Sequence, residues 1–137
     1  GEILMDVHIL VDPEISVSEG HNIAENVRHE LMTAFENAQD VLVHVDAEDM
    51  GEEQPYGTTK EELKKLAEPI VASTNGVHGK IQMRAHYLRG KNRVEIFIQM
   101  DRRKTLEEIG EIVKDLKTRL EAVEKIDEAR VYLDVDF

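Results

Sequence analysis

The amino-acid sequence predicts an α+β protein built from two small sheet-and-helix units in tandem. Strand-like stretches with alternating apolar residues are interleaved with helices that begin at Ser or Thr cap signals. The same strand–helix–strand order occurs twice along the chain, which indicates an internal repeat. Residues 51–58 hold Gly, Pro and acids without periodicity. We therefore predict a first unit over residues 1–50, a linker over 51–58 and a second unit over 59–137.

The first unit opens with a strand and continues with a helix. One face of the strand is apolar: Ile3, Met5, Val7, Ile9 and Val11. Asp12-Pro13 ends the strand, and Ser16 with Glu19 three residues later starts the helix. At near-helical intervals the helix offers an inward face: Val17, Ala24, Val27, Leu31 and Phe35. A second strand is predicted from Val41 to Asp46.

The second unit contains two helices and three strands. Thr59 with Glu62 starts the first helix, whose predicted inward residues are Leu63, Leu66, Ile70 and Val71. Pro69 should bend this helix or end it early. Two strands follow at about 80–88 and 92–100, joined by a turn at residues 89–92. Thr105 caps a last helix, and a final strand runs from Ala129 to about Asp136.

The two units align element by element. Residues 7–11 align with 94–98, the helix from Ser16 aligns with that from Thr105, and residues 43–46 align with 131–134. The second unit reads helix–strand–strand–helix–strand, whereas the first lacks the opening helix and strand. Each strand–helix–strand segment should form a parallel crossover with its helix on one face of the sheet.

Charge and composition exclude several classes of function. The net charge is −12, and residues 1–57 contain fourteen acids against one base, Arg28. This field repels nucleic acid and attracts cations, so we expect no nucleic-acid partner. The chain has no Cys, which rules out disulfides and thiolate metal sites. No apolar run approaches the ~18–20 residues that span a bilayer, so we expect this fragment to be soluble.

Three polar side chains are predicted to share one face of the first sheet. His8, His44 and Asp46 point away from the apolar faces of their strands, and two imidazoles with a carboxylate suit Zn²⁺ or a similar divalent ion. His21, in the first helical turn, could reach the same site. The alternative is that these are solvated surface residues. The aligned positions of the second unit hold other residues: Glu95 for His8, Gly110 for His21 and Tyr132 for His44. The fold therefore does not need the histidines.

Three segments together resemble the C-terminal domain of cation diffusion facilitators: residues 6–13, 16–24 and 43–46. The resemblance implies a ferredoxin-like, metallochaperone-like αββαβ fold that hangs below a transmembrane transport domain at the cytoplasmic face of the cell membrane. It implies a homodimer that binds Zn²⁺ or another divalent transition metal near the dimer contact. By residue matching, it implies that the metal ligands are His8, His21, His44 and Asp46.

The leading hypothesis is a regulatory metal-binding and dimerisation domain of a divalent-cation efflux transporter. The alternative is a purely structural homodimerisation module with vestigial histidines. A metal-dependent hydrolase is disfavoured, because no activated nucleophile or general base accompanies the proposed ligands; we expect no enzymatic activity. In the degenerate second unit, His78, Glu95 and Asp134 are candidates for a residual site, and we predict that His29 and His86 are solvated.

Overall fold

The chain divides into two compact units, Gly1–Glu53 and Gln54–Phe137. The computed structural model describes residues 1–48 and 57–135. Most of the predicted linker, residues 51–56, lies outside the described residues, as does the predicted end of the last strand at Asp136.

The first unit is a parallel strand–helix–strand motif. It comprises β1 (Ile3–Leu10), α1 (Val17–Ala34) and β2 (Ala38–Asp46). The two strands pair in parallel, as predicted for a crossover, with Val7 opposite Val43. β2 begins three residues earlier than predicted, because Ala38 already pairs with Ile3 at the start of β1.

Helix α1 packs on the sheet through small residues. Ser16 caps it by accepting a hydrogen bond from the Glu19 amide at 3.1 Å. Gly20 and Ala24 are buried, and a Cβ built on Gly20 would lie 3.5 Å from a methyl group of Val45. The predicted inward face is wrong at its two ends. Val17, the first helical residue, is 92% exposed, and Phe35, the non-helical residue after the last turn, is also exposed.

The second unit is a three-stranded sheet with two helices. Its elements are α2 (Lys60–Ala72), β3 (Val77–Leu88), β4 (Lys91–Met100), α3 (Leu106–Glu121) and β5 (Glu128–Leu133). The strand order is β3-β4-β5, with β4 antiparallel to β3 and parallel to β5. Alternate residues of β4 join helix residues in the core, which includes Val94, Ile96, Ile98, Met100, Leu63, Leu116 and Leu120.

Helix α2 does not end early at its proline, and its buried stripe differs from the predicted one. It continues past Pro69 to Ala72, and the Ser73 amide still donates to the Pro69 carbonyl at 3.1 Å. Proline removes the bond that its own amide would make to the Lys65 carbonyl and crowds that carbonyl, and the helix ends within one turn after it. The buried stripe is Leu63, Ala67 and Val71, four residues apart, while Leu66 is exposed.

The hairpin between β3 and β4 is tighter than predicted. Two residues, Arg89 and Gly90, connect the strands, with φ angles of 53° and 69°. Positive φ at both central residues is typical of a type I′ turn, whose twist matches that of the flanking strands.

The strand register corrects the predicted alignment of the two units. Val43 pairs with Val7 in the first unit, whereas its aligned counterpart Val131 pairs with Ile96 in the second. The predicted partner, Val94, pairs with Ala129 instead. The first strand of the alignment was therefore wrong by two residues.

The turns that follow these strands support the same correction. The Glu14 amide donates to Asp12 Oδ1 at 2.8 Å, and the Arg103 amide donates to Asp101 Oδ1 at 2.9 Å. These matching Asx-type turns lie the same number of residues apart as Val7 and Ile96. The counterpart of His8 is consequently Phe97, and the counterpart of Asp6 is Glu95.

Candidate metal centre

The open face of the first sheet brings two histidines side by side. His8 on β1 and His44 on β2 are direct partners in the parallel register. Side chains along β1 alternate between half-buried and exposed, which places Asp6 and His8 together on the exposed face. The valines of β2 lie toward α1, so His44 and Asp46 emerge beside His8.

Each imidazole is paired with a carboxylate from the neighbouring strand. His8 Nδ1 lies 2.8 Å from Asp46 Oδ2, and His44 Nε2 lies 2.9 Å from Asp6 Oδ1. The two rings stack, with centroids 4.4 Å apart and planes inclined by 11°. Two imidazoles and two carboxylates thus form a crossed network on one surface.

Three members of this network are close enough to share one metal ion. Ligand atoms of Asp6, His8 and His44 all lie within 4.8 Å of one another, and no second group of this kind occurs within residues 1–48 and 57–135. Imidazole and carboxylate donors suit a divalent transition metal. Asp6 was not among the predicted ligands. Its position two residues before His8 places it on the same strand face, and that signal was available.

His21 is not part of this group. It lines a groove of about 690 Å³ between α1 and β2, together with Gly20, Val41 and Val45. Of the four predicted ligands, His8 and His44 lie in this group. Asp46 contacts His8 from outside it, and His21 lies beside the groove. His29 is exposed, as predicted.

The open face of the second sheet carries aromatic side chains where the first has imidazoles. Phe97 and Tyr132, the counterparts of His8 and His44, stack with centroids 5.3 Å apart. Glu95 is buried at the counterpart of Asp6. Neither ring offers a nitrogen ligand, so the imidazole pair of the first sheet has no equivalent at these two positions.

The remaining histidines of the second unit do not form the residual site considered above. His78, Glu95 and Asp134 are not among the metal-ligand groups of the described residues. His86 was predicted to be solvated, which is wrong. Its side chain is only 21% exposed, and its Nε2 lies 3.2 Å from Glu95 Oε2 without hydrogen-bond geometry. The prediction missed that β4 is buried on both faces at this point.

One known family matches the first unit. Residues 1–48 match the cation efflux protein, cytoplasmic domain. The matched segment contains β1, α1 and β2, and with them every residue of the histidine–carboxylate network.

Two curated relatives match over a similar length. The manganese efflux system protein MneP of Bacillus subtilis (strain 168) is 36% identical over 42 residues, which cover 31% of this chain and 14% of that protein. Metal tolerance protein 2 of Oryza sativa subsp. japonica is 40% identical over 43 residues, or 31% of this chain and 11% of that protein. The chain thus spans only a small part of the length of these relatives.

Solved structures share the fold. A MamM CTD variant in a nickel form has a TM-score of 0.50 and 20% identity, covering 56% of this chain and 99% of that one. A variant in a cadmium form has a TM-score of 0.51 and 21% identity, covering 58% and 100%. This coverage exceeds the 53 residues of the first unit, so the likeness includes part of the second. The predicted α+β class is confirmed.

No helix among the described residues is both long and apolar enough to cross a membrane.

Proposed function

We propose that this chain is the cytoplasmic metal-binding and dimerisation part of a divalent-cation efflux transporter. The observation that carries the proposal is the pair of imidazoles, His8 and His44, flanked by carboxylates within a segment that matches the cation efflux cytoplasmic domain. The transport domain would belong to a longer protein. It would lie in the membrane, with this part extending from it into the cytoplasm.

The metal is a divalent transition ion bound on the open face of the first sheet. Imidazole with carboxylate is a donor set that suits zinc as well as nickel, iron or copper, and we propose Zn²⁺ as the first ion to test. His8 and His44 receive more support than His21, which lies in the groove beside α1. His21 would join the site only through a movement of its side chain or of the helix.

The same open face is proposed to pair with its counterpart in a symmetric dimer. Leu4, Leu10 and Leu42 are large exposed apolar residues, at 75%, 65% and 56% exposure, on the face that carries the histidines. Self-complementary contact between identical patches is the arrangement a two-fold axis requires. Close approach of two acidic first units is unfavourable, and a bound cation at the contact offsets that repulsion.

The second unit is proposed to be a degenerate second copy of the same domain that serves as a constant scaffold. Its strand–helix–strand segment has the same pairing and the same turn after the strand as the first unit. Its stacked aromatic pair takes the place of the imidazoles without their nitrogens. Metal should therefore change the first unit and leave the second nearly unaltered.

The second candidate function is a purely structural dimerisation module. The exposed leucines favour it, because an apolar contact needs no metal. The two functions differ in whether metal changes the association.

Calorimetric titration of the full chain with Zn²⁺ tests the proposal. His8→Ala with His44→Ala should abolish the tighter binding event and leave the circular dichroism nearly unchanged, since both side chains lie on the exposed face. His29→Ala, an exposed histidine of α1, is the matched control and should bind as the wild type does. Unaltered affinity in the double variant would refute the metal site and leave the structural module.

A further inference from the structure

The turn between α2 and β3 carries the only Asn-Gly pair of the sequence, Asn75 and Gly76. We propose that Asn75 is a site of spontaneous deamidation in the folded protein. In this reaction the backbone nitrogen of Gly76 attacks the side-chain carbonyl carbon of Asn75. The site lies in the second unit and needs no metal, so it is independent of the function proposed above.

The reaction balances with water as its only co-reactant. A bond forms between the Gly76 nitrogen and the Asn75 side-chain carbon, and the carbon–nitrogen bond of the side-chain amide breaks. The amide group leaves as ammonia and takes the proton of the Gly76 N–H with it, which gives a cyclic succinimide. Water then opens the ring at either carbonyl and leaves aspartate or isoaspartate at position 75. In isoaspartate the main chain runs through the former side chain.

The backbone nitrogen that must attack is not engaged in a hydrogen bond. On either side of the pair, the Thr74 amide donates to the Val71 carbonyl at 3.0 Å and the Val77 amide donates to the Thr74 carbonyl at 3.3 Å. Over the part of the chain that the structure describes, the Gly76 amide between them donates no hydrogen bond. Asn75 is exposed. Attack therefore requires no backbone hydrogen bond to break, and water reaches the ring that forms.

The fold requires glycine after Asn75. Gly76 has a φ of 87°, which glycine adopts without strain. A Cβ built on it would lie 2.6 Å from Lys104 Cε, so the turn has no room for a side chain at this position. A side chain on the residue after an asparagine hinders the approach of its nitrogen to the side-chain carbonyl. The residue that this turn requires is thus also the one that leaves Asn75 most reactive.

The other four asparagines lack this combination, and each is followed by a residue with a side chain: Asn22, Asn26, Asn37 and Asn92. Asn22 and Asn26 lie within α1, where the amide of the next residue is held in a helical hydrogen bond. The side-chain amides of Asn37 and Asn92 donate to backbone carbonyls at 2.8 and 3.0 Å. Asn75 should therefore react first.

Isoaspartate at position 75 should strain the second unit. The residues on both sides of the pair are fixed. Thr74 is only 7% exposed and its hydroxyl donates to the Ile70 carbonyl at 2.8 Å, while Val77 begins β3 opposite Met100. Isoaspartate lengthens the main chain between these two fixed points by one carbon. The hydrogen bond from the Val77 amide to the Thr74 carbonyl is the contact that this extra length disturbs.

Peptide mapping of the full chain, incubated under native conditions at mildly alkaline pH, tests the proposal. Trypsin cleaves after Lys and Arg and releases residues 66–80, in which Asn75 is the only side-chain amide. Residues 1–28, whose only side-chain amides are Asn22 and Asn26, form an internal control. Mass spectrometry should show that peptide 66–80 is converted to its acid form several-fold faster than peptide 1–28. Hydroxylamine, which cleaves succinimides, should cut the aged chain between Asn75 and Gly76.

Asn75→Gln is the matched variant, because it keeps the amide but its longer side chain does not close the five-membered ring readily. Its peptide 66–80 should stay unconverted. Aged wild type should unfold at a lower urea concentration than fresh protein, whereas ageing should leave the variant unchanged. Equal conversion of the two wild-type peptides, or no conversion of peptide 66–80, would overturn the proposal. Conversion in urea alone would also overturn it, since the folded turn would then protect Asn75. Conversion without loss of stability would refute the strain in the turn.

Discussion

Replacing two exposed leucines of the first sheet should dissociate the proposed dimer into monomers. Leu10 and Leu42 are 65% and 56% exposed on the face of the histidines. Full burial of a leucine contributes ~1.5–3 kcal/mol, so covering these exposed fractions contributes about 2–4 kcal/mol per protomer and about 5 kcal/mol per symmetric dimer. Leu10→Ser with Leu42→Ser should remove most of this term. Because each 1.4 kcal/mol is tenfold in affinity, the dimer Kd should rise by about 1,000-fold or more.

Sedimentation equilibrium over a range of concentrations measures this Kd directly. The variant should keep the wild-type circular dichroism, since the replaced side chains are exposed in the single chain. Val17→Ser is the matched control: Val17 is more exposed than either leucine, at the start of α1, and its loss should leave the Kd unchanged. A leucine variant that dimerises with the wild-type Kd would show that this face is not the contact.

Three further outcomes are expected. Micromolar Zn²⁺ should raise the melting temperature of the wild type. About 0.5 M NaCl should not reproduce the whole rise, since salt screens charges without adding ligand bonds. An equal rise with NaCl alone would refute the proposed metal-sensing function. Thr105→Ala, which removes the hydroxyl that accepts from the Glu108 amide at 3.2 Å, should lower the free energy of unfolding by about 1 kcal/mol in urea. Thr118→Ala replaces an exposed threonine later in the same helix and should lower the free energy of unfolding by less. An equal loss would contradict the capping role of Thr105. Hydrogen bonds from the Arg103 side chain and amide hold the pKa of Asp101 well below its ordinary value of 3.8. Its stabilisation is therefore fully present above pH ~4 and is lost progressively as the pH falls toward the folded-state pKa. Asp101→Asn should destabilise the protein at pH 6, and the difference from the wild type should shrink steadily below pH ~4; a difference that does not change with pH would contradict this.

Local signals in the sequence were sufficient for the elements of the fold. The cap residues Ser16, Thr59 and Thr105 each begin a helix where predicted, because a side-chain acceptor for an orphan amide is encoded within four residues. The buried faces of the helices were less predictable than their starting points. Val17 and Leu66 have the right spacing but lie where the sheet does not cover the helix, which periodicity alone cannot show.

The register between the strands could not be predicted from the sequence. Apolar alternation has period two, so a shift of two residues keeps every side chain on the same face of the sheet. The alignment of residues 7–11 with 94–98 therefore satisfied the pattern as well as the alignment shifted by two residues. The pairing of Val131 with Ile96 distinguishes the alternatives, and the matching turns at Asp12 and Asp101 agree with it. For the same reason the strand faces of His8, His44 and Asp46 were predictable, but the choice of Asp6 over Asp46 as the carboxylate near both imidazoles depended on side-chain distances.

The stacked aromatic pair of the second unit has a practical consequence for following the two units separately. The protein has no tryptophan and three tyrosines, at positions 56, 87 and 132, so every tyrosine belongs to the second unit. Tyr132 packs on Phe97, and its ring environment changes when the second sheet unfolds. The fluorescence of Tyr87 and Tyr132 thus follows the unfolding of the second unit, while backbone circular dichroism follows both. The difference between the two signals isolates the transition of the histidine-bearing unit without any added label.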